Sequence, residues 1–420
     1  MIAVSDQASD SARRAATIMA RLDQLGALSS EPGAITRLFL TPAHKAAAET
    51  VLGWMREAGM TAEIDAIGNV VGRYPAAQQG ASTLILGSHI DTVRNAGRYD
   101  GCLGVAAAIE AVAALRDAGE RLPYTIEVIA FGDEEGVRFP EALSSSRAIA
   151  GCFDPSVLGL QDQDGITYGA ALREFGGDPD GIADLERDPA KLLGFLELHI
   201  EQGPVLEAEN LPVAIVSAIS GATRFRVIVS GQAGHAGTVP MSLRRDAFAA
   251  TAEMAVSLER LARDTPDVVA TIGQVEVGPG AVNVVPGKTV FTVDCRSPDD
   301  TCRIEAVAAL QASFAAIAAR RGVTATFETF YDEASAPCAP ALRTSLSHSI
   351  ANQGLRPFEL ASGAGHDGLA MQALCPIAML FIRCAGGVSH NPAESVTEAD
   401  VAVAVDVLLA FLRNLSPSNG

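Results

Sequence analysis

Apolar residues along the chain fall into two kinds of run, and the two kinds alternate. Residues 11–27 and 42–58 carry apolar side chains at the spacing of an amphipathic helix, ending near Gly26 and Gly59. Residues 83–88 (TLILGS), 124–131 (YTIEVIAF) and 196–200 (LELHI) are short, mostly apolar runs of the kind that buried strands give. An Ala-rich helix is expected over 104–118 and a closing helix over 398–415. Strands alternating with helices predict an α/β fold with a central, mostly parallel mixed sheet. Ligands of such sheets bind where the carboxyl ends of strands run into loops.

The pattern changes over 214–330. A strand at 224–231, a helix at 242–264, strands at 268–276 and 288–296, a helix at 302–321 and a strand at 323–330 follow one another. That order, βαββαβ, is the ferredoxin-like unit. Its position inside the chain makes residues 1–213 and 331–420 one discontinuous domain, with 214–330 inserted as a lid. A length of 420 residues agrees with two domains.

Composition narrows the partners. Lys and Arg number 31 against 50 Asp and Glu, a net charge of −19, and nothing resembles a basic patch. Such a surface repels nucleic acid and anionic membranes. Glu110 and Asp406 break the longest apolar stretches well short of a membrane span. The N-terminus carries Asp6, Asp10, Arg13 and Arg14 in place of an apolar targeting segment. Seven dispersed cysteines without a CxxC pair point to reduced thiols and a cytoplasmic setting.

The candidate chemistry gathers at the expected strand ends. His89 lies in GSHIDTV, Asp100 in GRYDGCLGV, Glu134 and Glu135 in FGDEEGVRFP, His199 in LHIEQGP and His390 in GVSHNP. Taken singly, each has a plainer reading. Asp100 suits a helix N-cap, the Glu pair a solvated acidic turn, His199 a core histidine and His390 a turn residue. Taken together, three imidazoles and two carboxylates can hold two divalent cations, with one glutamate left to handle a proton. Asp91, two residues beyond His89, is placed to support that imidazole from behind.

These motifs resemble the M20-type metallohydrolases, within them the amidase, hydantoinase and carbamoylase subfamily. The resemblance runs from about residue 15 to 413 through GSHIDTV, DGCLGV, EEGVRF, HIEQGPVLE, GHAGTVPM, VNVVP and SHNPAE. It implies that Asp100 bridges two metals, that His89 and His199 complete one site, and that Glu135 and His390 complete the other. It makes Glu134 the general base. Related peptidases place a carboxylate where His199 stands, which argues against peptide substrates. Mn²⁺ is typical of the subfamily, and the ligand set also suits Zn²⁺, Co²⁺ or Ni²⁺.

The resemblance further implies a homodimer through the inserted domain. It assigns His235 to oxyanion stabilisation, often across the dimer, and Asn283 and Arg296 to a substrate carboxylate. Arginine suits that task because its planar fork pairs with a carboxylate through two hydrogen bonds. Gln202 and the SGAGHDG loop at 362–368 are expected to line the pocket. There Gly363 and Gly365 let backbone amides approach an anion, and His366 and Asp367 form a supporting pair. One departure is Ser144-Ser145-Ser146-Arg147, where relatives often carry a glycine before Ser-Arg. The implied activity is hydrolysis of a ureido group on a small carboxylate: allantoate first, an N-carbamoyl-L-amino acid or β-ureidopropionate as alternatives.

Overall fold

The computed structural model describes residues 2–416. The chain divides into two compact units: Met1–Ser217 with Cys338–Leu360 and Ala364–Gly420, and Ala218–Pro337 with Ala361–Gly363. The boundaries expected at 214 and 330 therefore lie at 218 and 337. Strand Val213–Ile219 explains the first shift, because Leu380 opposite Ile215 anchors it to the main sheet. The second follows from a strand, Thr324–Glu333, that outruns its apolar core.

In the first unit the main sheet runs in the order Thr61–Ile64, Val70–Tyr74, Thr125–Phe131, Thr83–His89, Leu192–Ile200, Ile377–Ile382, Val213–Ile219. Its four central strands are parallel and its margins antiparallel. All seven residues of Thr83–His89 are buried, as a parallel strand covered on both faces requires. Helix Cys102–Asp117 is buried almost all round, which its alanines permit. It lies so close to the sheet that a Cβ on Gly104 would sit 2.1 Å from the Leu198 carbonyl oxygen. That contact brings the helix start and the carboxyl end of Leu192–Ile200 together, and with them Asp100 and His199.

The second unit is a four-stranded antiparallel sheet in the order Thr324–Glu333, Gly221–Ser230, Lys288–Ser297, Val269–Gly278. Helices Ala247–Asp264 and Asp300–Arg320 cover one face, on which Phe225, Val227, Val229, Phe291 and Val293 are buried. This is the expected βαββαβ unit, with its first helix starting at Ala247 instead of 242. Asp246 accepts the Ala249 N–H and caps the helix there. Asp300–Arg320 is, among the described residues, long and apolar enough to cross a membrane. Its Leu310 and Phe314 are fully buried in this unit's core, the packing of a core helix.

A candidate two-metal centre

Asp100 is the hub of the site. Its Oδ1 lies 3.0 Å from His199 Nε2 and 3.5 Å from His89 Nε2, and its Oδ2 lies 3.1 Å from His390 Nε2. His390 Nε2 is also 3.6 Å from Glu135 Oε2, while His89 Nε2 is 3.9 Å from Glu134 Oε2. Three overlapping trios, His89–Asp100–His199, Asp100–Glu135–His390 and His89–Glu134–Glu135, each bring their donor atoms within 4.8 Å of one another. All six predicted residues therefore converge. The N-cap reading of Asp100 fails, because the cap position of the following helix is Gly101, at φ 64°.

The hydrogen bonds fix which nitrogens face inward. His89 Nδ1 is 3.1 Å from the Asp91 carbonyl and His199 Nδ1 is 2.9 Å from the Ile200 carbonyl. A carbonyl only accepts, so both Nδ1 atoms carry protons and each ring turns its Nε2 towards Asp100. Lone pairs opposed to a carboxylate repel unless a proton or a cation stands between them. Three imidazoles and the carboxylates of Asp100 and Glu135 in this geometry form a donor set of the kind Mn²⁺ or Zn²⁺ takes.

Electrostatics give the same picture. Burial disfavours ionised Asp100, yet hydrogen bonds from His199, His390 and His89 hold its pKa well below the usual range. Burial likewise depresses His89, but Asp100 and Asp91 more than reverse it and lift its pKa well above that of free imidazole. The Asp100 hydrogen bond lifts His390 to about 9. Burial pushes Glu135 up to about 7 and Glu134 well above the carboxylate range, with neighbouring carboxylates adding to both. Negative charge is crowded here in a way that bound cations would relieve.

The supporting residues are where sequence reasoning fell short. Asp91 does more than back His89: its Oδ1 and Oδ2 accept the backbone N–H groups of Glu134 and Glu135, each at 3.1 Å. Glu394 received no role from the sequence. Its Oε1 accepts the Tyr99 and Asp100 N–H groups at 2.8 and 3.1 Å, and its Oε2 accepts Ser389 Oγ–H at 2.9 Å. Gln202, expected to line the pocket, donates to Asp100 Oδ2 at 2.9 Å and to Ser389 Oγ at 3.1 Å. The unusual triple serine also has a use. Ser145 Oγ accepts the Gly132 and Asp133 N–H groups, and Ser144 Oγ bonds Asp133 and Tyr168, anchoring the loop that presents the Glu pair.

His366 stacks edge-on against His199 with ring centroids 4.4 Å apart, and Asp367 is fully buried beside it in sequence. In the second unit, His235 pairs with Val284 across a two-stranded ribbon, and the Ala236 N–H donates to the Asn283 carbonyl at 2.9 Å. His235 and Asn283 are thus neighbours, and both are exposed. Arg296 NH1 donates to the Gly363 carbonyl at 2.6 Å, so Gly363 offers an acceptor as well as an amide. Gly365 lies in the first unit.

Residues 85–414 match the sequence profile of peptidase family M20/M25/M40. The chain belongs to that family. Relatives narrow the M20 placement. The chain is 40% identical to an N-carbamoyl-L-amino acid amidohydrolase of Geobacillus stearothermophilus over 92% of this chain and 95% of that protein. It is 39% identical to allantoate deiminase 1 of Glycine max over 95% and 89%. A crystal structure of an amidase of the hydantoinase/carbamoylase family from Burkholderia multivorans superposes with a TM-score of 0.89, at 33% identity, covering 95% of this chain and 97% of that one. The resemblance read from the sequence, and the mixed α/β fold it implied, both stand. M20 enzymes are metal-dependent, and the trios around Asp100 are groups that can hold such ions.

Proposed function

We propose that this M20 chain hydrolyses the ureido group of a small carboxylate, with allantoate as substrate and ureidoglycine, ammonia and CO₂ as products. The relatives' amidohydrolase and deiminase names make it a hydrolase of non-peptide C–N bonds. The observation that carries the reading is the cluster itself: Asp100 between His199 and His390, with Glu134 beside His89. Asp100 would bridge two divalent cations, Mn²⁺ by preference, with His89 and His199 on one and Glu135 and His390 on the other. Cations held there supply Lewis-acid activation of a water molecule and of the scissile carbonyl.

Glu134 takes a proton from the attacking water, whose oxygen adds to the carbamoyl carbon. The C–N bond to the ureidoglycine nitrogen then breaks, Glu134 returns the proton to that nitrogen, and the carbamic acid set free falls apart to ammonia and CO₂. His235 donates to the developing oxyanion, a contribution of roughly 3–4 kcal/mol for a well-placed donor. Asn283 and Arg296 hold the carboxylate, and Gly363, Gly365 and Gln202 border the bound molecule. Asp91 acts one step back, by fixing His89 and the Glu pair. The inserted unit serves as lid and homodimer contact, a role supported by exposed Val269, Val275 and Val277 on its edge strand. The working place is the cytoplasm.

An N-carbamoyl-L-amino acid is the second reading, favoured by the Geobacillus relative; β-ureidopropionate stands third. Ammonia release by Mn²⁺-loaded protein on allantoate and a panel of N-carbamoyl-L-amino acids separates them. Allantoate is expected to give the highest kcat/KM, and Glu134→Gln to abolish turnover on every member. A carbamoyl amino acid ahead of allantoate moves the substrate while keeping the site. Full activity of Glu134→Gln removes the general-base assignment.

A further inference from the structure

The uncovered face of the four-stranded sheet carries a row of charges in register. Asp294 on Lys288–Ser297 stands opposite Arg224 on Gly221–Ser230, and Arg224 stands opposite Tyr331 on Thr324–Glu333. Arg296, two residues beyond Asp294, lies on the same face because strand side chains alternate. The row borders an open groove of about 780 Å³.

The hydrogen bonds within the row are directional. Arg296 Nε donates to Asp294 Oδ1 at 2.8 Å and Arg296 NH2 donates to Asp294 Oδ2 at 2.9 Å, a bidentate pair. Arg224 Nε donates to Asp294 Oδ2 at 2.8 Å, and the Arg224 guanidinium lies 4.6 Å from the Tyr331 ring centroid. With Arg296 NH1 on the Gly363 carbonyl, three of the five Arg296 N–H donors are spoken for. One remains on each terminal nitrogen, available to a carboxylate. Two guanidiniums share one carboxylate, so this trio keeps a charge of +1. Burial opposes ionisation of Asp294, yet Arg296 and Arg224 hold its pKa below the usual carboxylate range.

We infer that Asp294, itself held by Arg224, is a positioning residue that aims the free edge of Arg296 at the substrate carboxylate. The inference rests on the assignment of Arg296 to that carboxylate. Without Asp294 the guanidinium would swing on its flexible stem and carry an unneutralised neighbour in Arg224. The chemistry at the metal centre would be untouched, so the loss should fall on KM and only for substrates that bear the carboxylate.

The test compares wild type, Asp294→Asn, Arg224→Ala and Arg296→Ala, all metal-loaded, on the best ureido carboxylate and on its carboxamide. Asp294→Asn is expected to raise KM for the carboxylate about tenfold, the equivalent of about 1.4 kcal/mol. Its kcat should stay within about twofold of wild type, and its KM for the carboxamide should not move. Arg224→Ala should show the same selective rise on a smaller scale, and it decides the matter if Asp294→Asn does not fold. Should either variant fail to discriminate while Arg296→Ala does, the positioning role is wrong. If Arg296→Ala itself treats the two compounds alike, the carboxylate assignment falls and this inference falls with it.

Discussion

Asp91 holds Glu134 by the backbone: its Oδ1 accepts the Glu134 N–H at 3.1 Å, while its Oδ2 takes the N–H of Glu135 at the same distance. The same residue's carbonyl fixes the His89 tautomer. A single aspartate thereby sets the directions of one imidazole and two carboxylates. Asp91→Asn leaves one oxygen and turns an NH₂ group towards a backbone N–H, so one bond becomes a repulsion. Loss of such an outer partner costs about 10–100-fold in activity or metal affinity. We expect kcat to fall by that factor with KM nearly constant. A variant with wild-type kcat would show that the Glu pair is oriented by other means.

Glu394 joins two loops that are far apart in sequence, its Oε1 on Tyr99 N–H and its Oε2 on Ser389 Oγ. Ser389, one residue before His390, also lies 3.0 Å from Asp100 Oδ2, so its single hydroxyl proton is shared between the two carboxylates. The shared carboxylate and the third imidazole are therefore held by one bracket. Glu394→Gln retains the shape but loses the charge-assisted bonds to two backbone amides. Calorimetric titration with Mn²⁺ should show one of two cations bound about 10–100-fold more weakly. Unchanged affinity for both would leave Glu394 as a fold-stabilising residue only.

Much of the site was legible in the sequence because its chemistry sits in short motifs at strand ends. His89, Glu134, Glu135 and His199 sit at or just beyond the ends of runs whose strand character was plain, Asp100 and His390 were marked by their motifs alone, and all six meet. The four-stranded unit was equally legible, since its strands alternate buried and exposed positions. The bracket was hidden for a physical reason. Glu394 and Tyr99 lie 295 residues apart, and a hydrogen bond between a side chain and a distant amide leaves no periodicity. The Asp91 clamp escaped for the same reason. Strands Val213–Ile219 and Ile377–Ile382 were missed because buried runs of that length look alike whether helical or extended.

Gly101 is the backbone position the site can least afford to change. It has φ 64°, and a Cβ there would lie 2.5 Å from atoms of the His89 ring. Gly101→Ala must either rotate His89 or push the Asp100 loop away, on top of a left-handed backbone strain of about 1 kcal/mol or more. The expected result is a metal-to-protein ratio well below that of wild type after identical reconstitution, with a lowered Tm. Full metal content would mean that the loop yields without disturbing His89.

His44 offers a check on stability away from the metal centre. It is fully buried; its Nδ1 accepts the Leu40 N–H, and its rings of contact are Phe39 and Phe175. Burial drives its pKa down to about 3, with Arg37 and Arg138 adding repulsion. In the unfolded chain the same imidazole titrates near 6.5. Between those values the unfolded state binds a proton that the folded state refuses. Stability is therefore full above about pH 6.5 and declines as pH falls towards 3, by about 2 kcal/mol at pH 5. His44→Gln keeps an acceptor for Leu40 and has nothing to protonate. In urea unfolding of equally metal-loaded proteins, wild type should lose more stability than His44→Gln between pH 7 and pH 5. Parallel losses would show that His44 is hydrated or protonated in the folded protein.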